Sequence, residues 1–249
     1  MSSVNDTLRG PAFVLGNGPS LPVEDLACLT GQFTVGVNRI LRSGFVPTVL
    51  LWVDCTAYRD DGEQIDGSGA LLVCDRSVAQ RQFHVGLRTW VGSGALKHES
   101  RPNVLCVNGN TGCCAARWAL ALGFEPVYLV GMSATYREGV TDFYGANRYH
   151  HNKPGDNGTL MVMRKEMVRL RRDFGERIYE IPDGVLLREI AAELPQQDQG
   201  ELRSAVMEAI EAAGDQMPSV RSLAEKYGIP LLDQQDEIDV LTGKRFSDD

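Results

Sequence analysis

Ala12-Phe13-Val14-Leu15-Gly16-Asn17-Gly18-Pro19-Ser20-Leu21 decides how this chain is read. Four apolar residues make a short buried strand, and a Gly-Asn-Gly-Pro-Ser turn stops it. A helix is predicted to follow over Val23–Leu29. This is how a first strand feeds a ligand-cradling loop in a nucleotide-binding α/β domain. Gly16 and Gly18 are expected to adopt backbone angles closed to other residues and to let a phosphate approach the main chain. Pro19 is expected to fix the turn, and Ser20 to cap the helix whose free N–H groups would face an anion. Neither GxGxxG nor GxxxxGK[ST] occurs, which counts against dinucleotide and P-loop chemistries.

Working outward, apolar runs alternate with helix-like segments. Strands are predicted over Phe33–Val37, Thr48–Val53, Ala70–Cys74, Asn103–Val107, Pro126–Val130 and Arg177–Ile181. Helices are predicted from near Asn38 to Ser43 and over Cys113–Leu122 and Leu160–Arg172. Apolar strands separated by helices imply a Rossmann-like α/β fold, a mostly parallel sheet with helices on both faces. Such sheets bind ligands beyond the carboxyl ends of their strands. The polar residues at those ends are Asn17, Asn38, Asp54, Asn108, Asn110, Thr111 and Ser133. Turns place Asn and Asp at strand ends for local reasons too, so recurrence along one edge is what points to a site.

Length and composition bound the class. The chain has 249 residues, 43% hydrophobic and 23% charged, enough for one large domain with a small appendage. We place the division at 194: a nucleotide-binding transferase domain over 1–194 and a helical appendage over 195–249, for packing or self-association as a homo-oligomer. The appendage begins at a polar break, Pro195–Gly200, followed by an acidic helix over Glu201–Ala213. Met217–Ile229 reads like the first half of a helix-turn-helix, but the acidic run Asp233–Asp239 stands where a basic recognition helix would follow. A net charge of −8 disfavours nucleic-acid binding by a general basic surface. The local cluster Arg164, Lys165, Arg169, Arg171 and Arg172 offers cations to a phosphate or a solvated basic face. Six cysteines without CxxC spacing read as reduced thiols rather than a zinc site or disulfides, and the N-terminus lacks a signal-peptide pattern. No apolar run approaches the ~20 residues of a membrane span. The expected location is cytoplasmic.

Phe13–Leu21, Gly36-Val37-Asn38, the helix-opening Asn110-Thr111-Gly112, Leu122-Gly123-Phe124 and Val127–Met132 together resemble one superfamily. It holds the bacterial sialyltransferases of glycosyltransferase family 42 and the 6-hydroxymethylpterin pyrophosphokinase-like proteins, some of them phage-borne. The resemblance covers roughly 12–185, and GNGPSL is its most specific element. It implies a nucleotide at Gly16, Asn17, Gly18, Pro19 and Ser20, with Asn38, Asp54, Asn110, Thr111 and Gly112 contributing; by their own chemistry and position, Ser133 at the end of its strand and Arg148 in the segment after it are added to this nucleotide-binding set. It also implies that tyrosines neutralise a departing phosphate and that a histidine serves as base. Tyr136, Tyr144, Tyr149, His150 and His151 supply those types. Two positions depart from the pattern: Ser133 where many relatives have Asp, and Asp142 before Phe143-Tyr144 where many have His.

Met132–Gly158 lacks apolar periodicity and is rich in Tyr, Arg, His and Asn, as lids and substrate-binding segments are. A neutral imidazole at His150 or His151 has a suitable pKa to take a proton from a hydroxyl. His84 and His98 read as surface or core residues. The leading expectation is a transferase, needing no cofactor, that passes a sugar from a nucleotide-sugar donor to a hydroxyl acceptor (a glycan, metabolite or modified nucleobase). The alternatives are pyrophosphoryl transfer from ATP, with Mg²⁺ held by Asp54 and Asp142, and a non-catalytic nucleotide-binding or phage accessory protein.

Overall fold

The computed structural model describes residues 8–53, 55–75, 78–82, 84–87, 110–134, 140–145, 158–182, 186–213 and 226–228. Seven strands form one parallel sheet: β1 (Ala12–Leu15), β2 (Phe33–Val37), β3 (Val49–Trp52), β4 (Leu71–Asp75), β5 (Val85–Leu87), β6 (Val127–Val130) and β7 (Ile178–Glu180). Their order is β5-β4-β3-β2-β1-β6-β7, with every pairing parallel. The chain steps outward from β1 to β5, then returns to lay β6 against the other side of β1. That reversal makes the β1/β6 boundary the topological switch point.

Alternation along each strand sorts the core into two layers, because successive side chains leave opposite faces. Val14, Val35, Leu51, Val73 and Leu129 lie on one face, under helices α2 (Thr111–Leu122), α3 (Gly158–Phe174) and α5 (Gln199–Ala213). Phe13, Leu15, Leu50, Trp52 and Leu72 lie on the other. There they meet two 3₁₀ helices (Val23–Leu29 and Ile40–Ser43), α1 (Cys55–Asp66) and α4 (Leu187–Ala192). The Rossmann-like expectation therefore holds. The segment after the glycine loop is a short 3₁₀ helix rather than an α-helix. The predicted strand Asn103–Val107 lies outside the described residues.

Helix α2 is buried continuously from Thr111 to Leu120, and its glycine and alanines let it lie close on the sheet. One large polar group is carried down with them. Arg117 is 2% exposed, and its Nη1 donates to Glu166 Oε2 of α3 at 3.1 Å. Arg169 Nη1 donates to Glu166 Oε1 at 2.8 Å. Burial opposes ionisation of Glu166, but the two guanidiniums outweigh it and hold the carboxyl below its ordinary value. Helix α5 joins the same core through Leu202, Ala205 and Val206, and Gln199 Oε1 accepts from Thr48 Oγ1 at 2.6 Å. Further along, Tyr227 Oη and Lys226 Nζ each donate to the Leu120 carbonyl at 3.0 Å.

Glu166→Ala should cost about 3–5 kcal/mol, because it leaves two buried guanidiniums without their carboxylate. The lowered pKa also fixes a sign. Glu166 contributes stability above the unfolded carboxylate pKa and loses it as pH falls through the folded value. Urea unfolding at neutral and acidic pH checks both. A wild-type midpoint for the variant, or a loss of stability in it that steepens with acid as much as in wild type, would contradict the account.

Candidate functional site

The glycine loop sits at the switch point and is bonded across it. Gly16 N–H donates to Val130 O at 2.8 Å, and Gly18 N–H to Gly131 O at 2.9 Å. A Cβ built on Gly16 would stand 2.5 Å from the Gly131 oxygen, and one on Gly18 would stand 2.7 Å from it. Neither residue is in the left-handed region; Gly131, at φ +67, is. The glycines are therefore required by backbone approach to β6, which corrects the expectation that unusual angles require them. Met132 fills the notch above, against Gly16 of the loop and Gly112 of α2.

Ser20 does not cap a helix. The 3₁₀ helix starts after Pro22 without a side-chain cap, and its first turn carries Glu24 and Asp25, which repel an anion there. The Ser20 hydroxyl instead meets the Ser133 hydroxyl at 3.0 Å, across the switch point.

Beside the loop, Asn17 Nδ2 donates to Val37 O of β2 at 3.0 Å, so its Oδ1 points the other way. That oxygen and Asn38 Oδ1 are buried with no hydrogen-bond partner among the described residues. Asn38 sits in the left-handed region at φ +50. A short turn, 141–145, closes on the same edge: Phe143 N–H donates to Asn17 O at 2.9 Å. Asp142 is buried and accepts from Thr141 Oγ1 at 2.8 Å. Between loop and turn lies a cavity of about 690 Å³, lined by Pro19, Leu21, Val23, Glu24, Val140, Asp142 and Phe143.

Tyr144, on that turn, meets two arginines that sequence reading did not single out. Arg39 Nη2 donates to Asp60 Oδ2 at 2.8 Å and to Thr56 O at 3.1 Å, and its positive charge acts on the Tyr144 phenol. Arg42 grips Asp61 with two bonds of 2.9 and 2.7 Å and lies 4.8 Å over the Tyr144 ring. Burial, then Asp142, push the phenol up to about 12 against the pull of the arginines. Tyr144 thus remains a neutral O–H donor at ordinary pH, which suits a role facing developing negative charge and rules it out as a base. The clues in sequence were Arg39 and Arg42 flanking a buried Ile40-Leu41 pair, and the paired acids Asp60-Asp61 in the next helix.

Asn110 caps α2, its Oδ1 accepting from Cys113 N–H at 3.2 Å. Thr111 and Gly112 follow it, both buried. His84 is a core residue: Gln80 N–H donates to its Nδ1 at 3.2 Å, which puts the proton on Nε2, 3.1 Å from Asp66 Oδ1. Asp54, Tyr136, Arg148, Tyr149, His150 and His151 lie outside the described residues, as do His98 and Cys106. The structure therefore brings together Gly16–Ser20, Asn38, Ser133, Asp142 and Tyr144, and adds Arg39 and Arg42.

A parallel sheet with a polar carboxyl edge and a closed glycine loop defines a Rossmann-like α/β protein. No protein-family model and no curated protein matches the sequence. Among solved structures the chain is similar to the MAf glycosyltransferase from Magnetospirillum magneticum AMB-1, with a TM-score of 0.51 and 17% identity. The match covers 94% of this chain and 41% of that one, so this chain spans about two fifths of its length. The likeness is one of fold.

Gly16→Ala and Gly18→Val should each destabilise the chain by about 1–3 kcal/mol or more, since the obstacle is backbone and cannot step aside. Any loss of ligand affinity would then accompany a loss of stability. An unchanged urea midpoint in either variant would contradict this reading.

Proposed function

We propose that the chain is a glycosyltransferase that holds a nucleotide-sugar donor at the carboxyl edge of β1, β2 and β6 and passes the sugar to a hydroxyl acceptor. The observation that carries this reading is the Phe143–Asn17 hydrogen bond, which fastens the turn bearing Asp142 and Tyr144 to the glycine loop. A group-transfer site needs donor-binding and leaving-group elements within one ligand's reach, and this bond joins them. The likeness in fold to a protein described as a glycosyltransferase supports it.

In this reading the amide oxygens of Asn17 and Asn38 accept hydrogen bonds from hydroxyl or amino groups of the nucleoside or sugar. Being acceptors, they suit those groups better than a phosphate. Tyr144, kept protonated, donates to the phosphate that departs. His150 or His151 takes the proton of the acceptor hydroxyl as the new glycosidic bond forms.

The test begins with a thermal-shift screen of CMP-, UDP-, GDP- and ADP-sugars and ATP, each with and without Mg²⁺. One nucleotide-sugar class should stabilise the chain without needing metal. Stabilisation by ATP and Mg²⁺ alone would replace the reading with pyrophosphoryl transfer. With the donor in hand, Tyr144→Phe should lower turnover about 10²-fold with little change in donor affinity. One of His150→Ala and His151→Ala should lower turnover by about 10²–10⁴-fold at unchanged donor affinity. Full turnover in both histidine variants would remove them from the chemistry.

A further inference from the structure

The basic cluster on α3 divides sharply once its partners are known. Arg169 is buried on Glu166, Arg171 pairs with Glu180, and Arg172 with Asp173 at 2.6 Å. Arg164 behaves differently. Its Nε donates 3.1 Å to the carbonyl of Ala134, just beyond the end of β6, and no carboxylate faces it among the described residues. Ala134 adopts φ +48, a conformation that costs a non-glycine residue energy. The carbonyl so placed anchors the guanidinium to the residue that follows Ser133, whose hydroxyl is 3.0 Å from that of Ser20. Through the Ala134 carbonyl and the neighbouring Ser133, Arg164 is thus linked to Ser20 across the switch point.

We infer that Arg164 and the Ser20 and Ser133 hydroxyls form a phosphoryl-binding subsite at the β1/β6 switch point. With Nε spent on a backbone carbonyl, the two Nη atoms remain as a planar fork, matched to two oxygens of one phosphoryl group. Ser20 keeps hydrogen-bonding capacity beyond its contact with Ser133, since a hydroxyl both donates and accepts. The glycine loop's own N–H groups at Gly16 and Gly18 are taken by β6, so they are not donors to an anion, and the Arg164 fork and the serine hydroxyls supply donors in their place. This adds a phosphoryl contact from the β6 side to the one that Tyr144 makes in the transferase reading, and leaves the Asn17 and Asn38 oxygens for hydroxyl or amino groups of the ligand. Only the source of the phosphoryl group, a nucleotide rather than a free phosphate, rests on the proposed transferase reading.

The probe is inorganic pyrophosphate, titrated calorimetrically at low ionic strength into the full chain and into Arg164→Gln, Arg164→Lys, Ser20→Ala and Arg172→Gln. Arg164→Gln should weaken binding at least tenfold, as expected for losing charge-assisted hydrogen bonds. Arg164→Lys, which keeps the charge and loses the fork, should fall between it and wild type. Ser20→Ala should weaken binding severalfold. Arg172→Gln removes the same charge from the same helix and should leave affinity within twofold, which separates a built site from general attraction. Both arginines lie at the surface of α3 and circular dichroism verifies the fold of each variant. Equal loss in Arg164→Gln and Arg172→Gln, or no binding of pyrophosphate to wild type at millimolar concentration, overturns the subsite. A second arm repeats the titrations with CMP and UDP. If these fail to compete while pyrophosphate still depends on Arg164, the subsite stands for a free phosphate and the nucleotide-sugar reading falls.

Discussion

The carbonyl oxygen of Gly131 is the point on which the glycine loop closes against β6. Gly18 donates to it, and the Cα atoms of Gly16 and Gly18 come so near that no side chain fits between. Because that contact closes the seam between β1 and β6, everything beyond the carboxyl edge is placed relative to it. Met132 leaves β6 straight into the gap between Gly16 and Gly112 and so registers α2 against the loop. Ser133 then meets Ser20, and Asn17 is left facing β2, its amide N–H on Val37 O and its oxygen without a hydrogen-bond partner among the described residues. A parallel sheet offers a crevice at its switch point; here the Gly16 and Gly18 amides are spent on β6, and polar side chains line the rim beside them.

Charge along that rim is arranged in pairs. Arg39 and Arg42 are each matched to an aspartate of α1, so they bring orientation rather than net positive potential. Their effect is on Tyr144: the charge of each favours the ionised phenol, and Arg42 lies over its ring. The Arg117–Glu166–Arg169 group ties α2 to α3, well inside the helical layer. In a chain of net charge −8, Arg164 and Arg203 are held instead by backbone carbonyls, those of Ala134 and Gly69, and Arg164 is the one at the carboxyl edge, beyond β6.

Much of the sheet was legible in sequence because each strand is a short apolar run buried on both faces, as Ala12–Leu15 and Val49–Trp52 are. What escaped had a physical reason. Helix α1 buries only Ala57 and Ile65, carries Gly62 and breaks its helical geometry at Asp61, so Cys55–Asp66 has no apolar stripe to read. Strand β5 has three residues, too few for a period. The role of Gly16 and Gly18 depends on Gly131, more than a hundred positions away, which no local pattern reveals. The basic helix read as one cluster, yet its arginines have four different partners: Arg169 and Arg172 bond to Glu166 and Asp173 nearby in sequence, Arg164 and Arg171 to Ala134 and Glu180 outside the helix. At the site, the residue types at strand ends were visible, but their division into acceptors, a neutral phenol and paired cations needed the packing.

The central claim is that the loop at 16–20, the Asn38–Arg42 segment and the turn at 141–145 close around one ligand. Hydrogen–deuterium exchange of the full chain, with and without the nucleotide-sugar that stabilises it most, tests this directly. The account predicts that all three segments gain protection together, while β7 and α5 do not change. Protection confined to one segment, or appearing at β7 or α5 with the carboxyl edge unaffected, would contradict it.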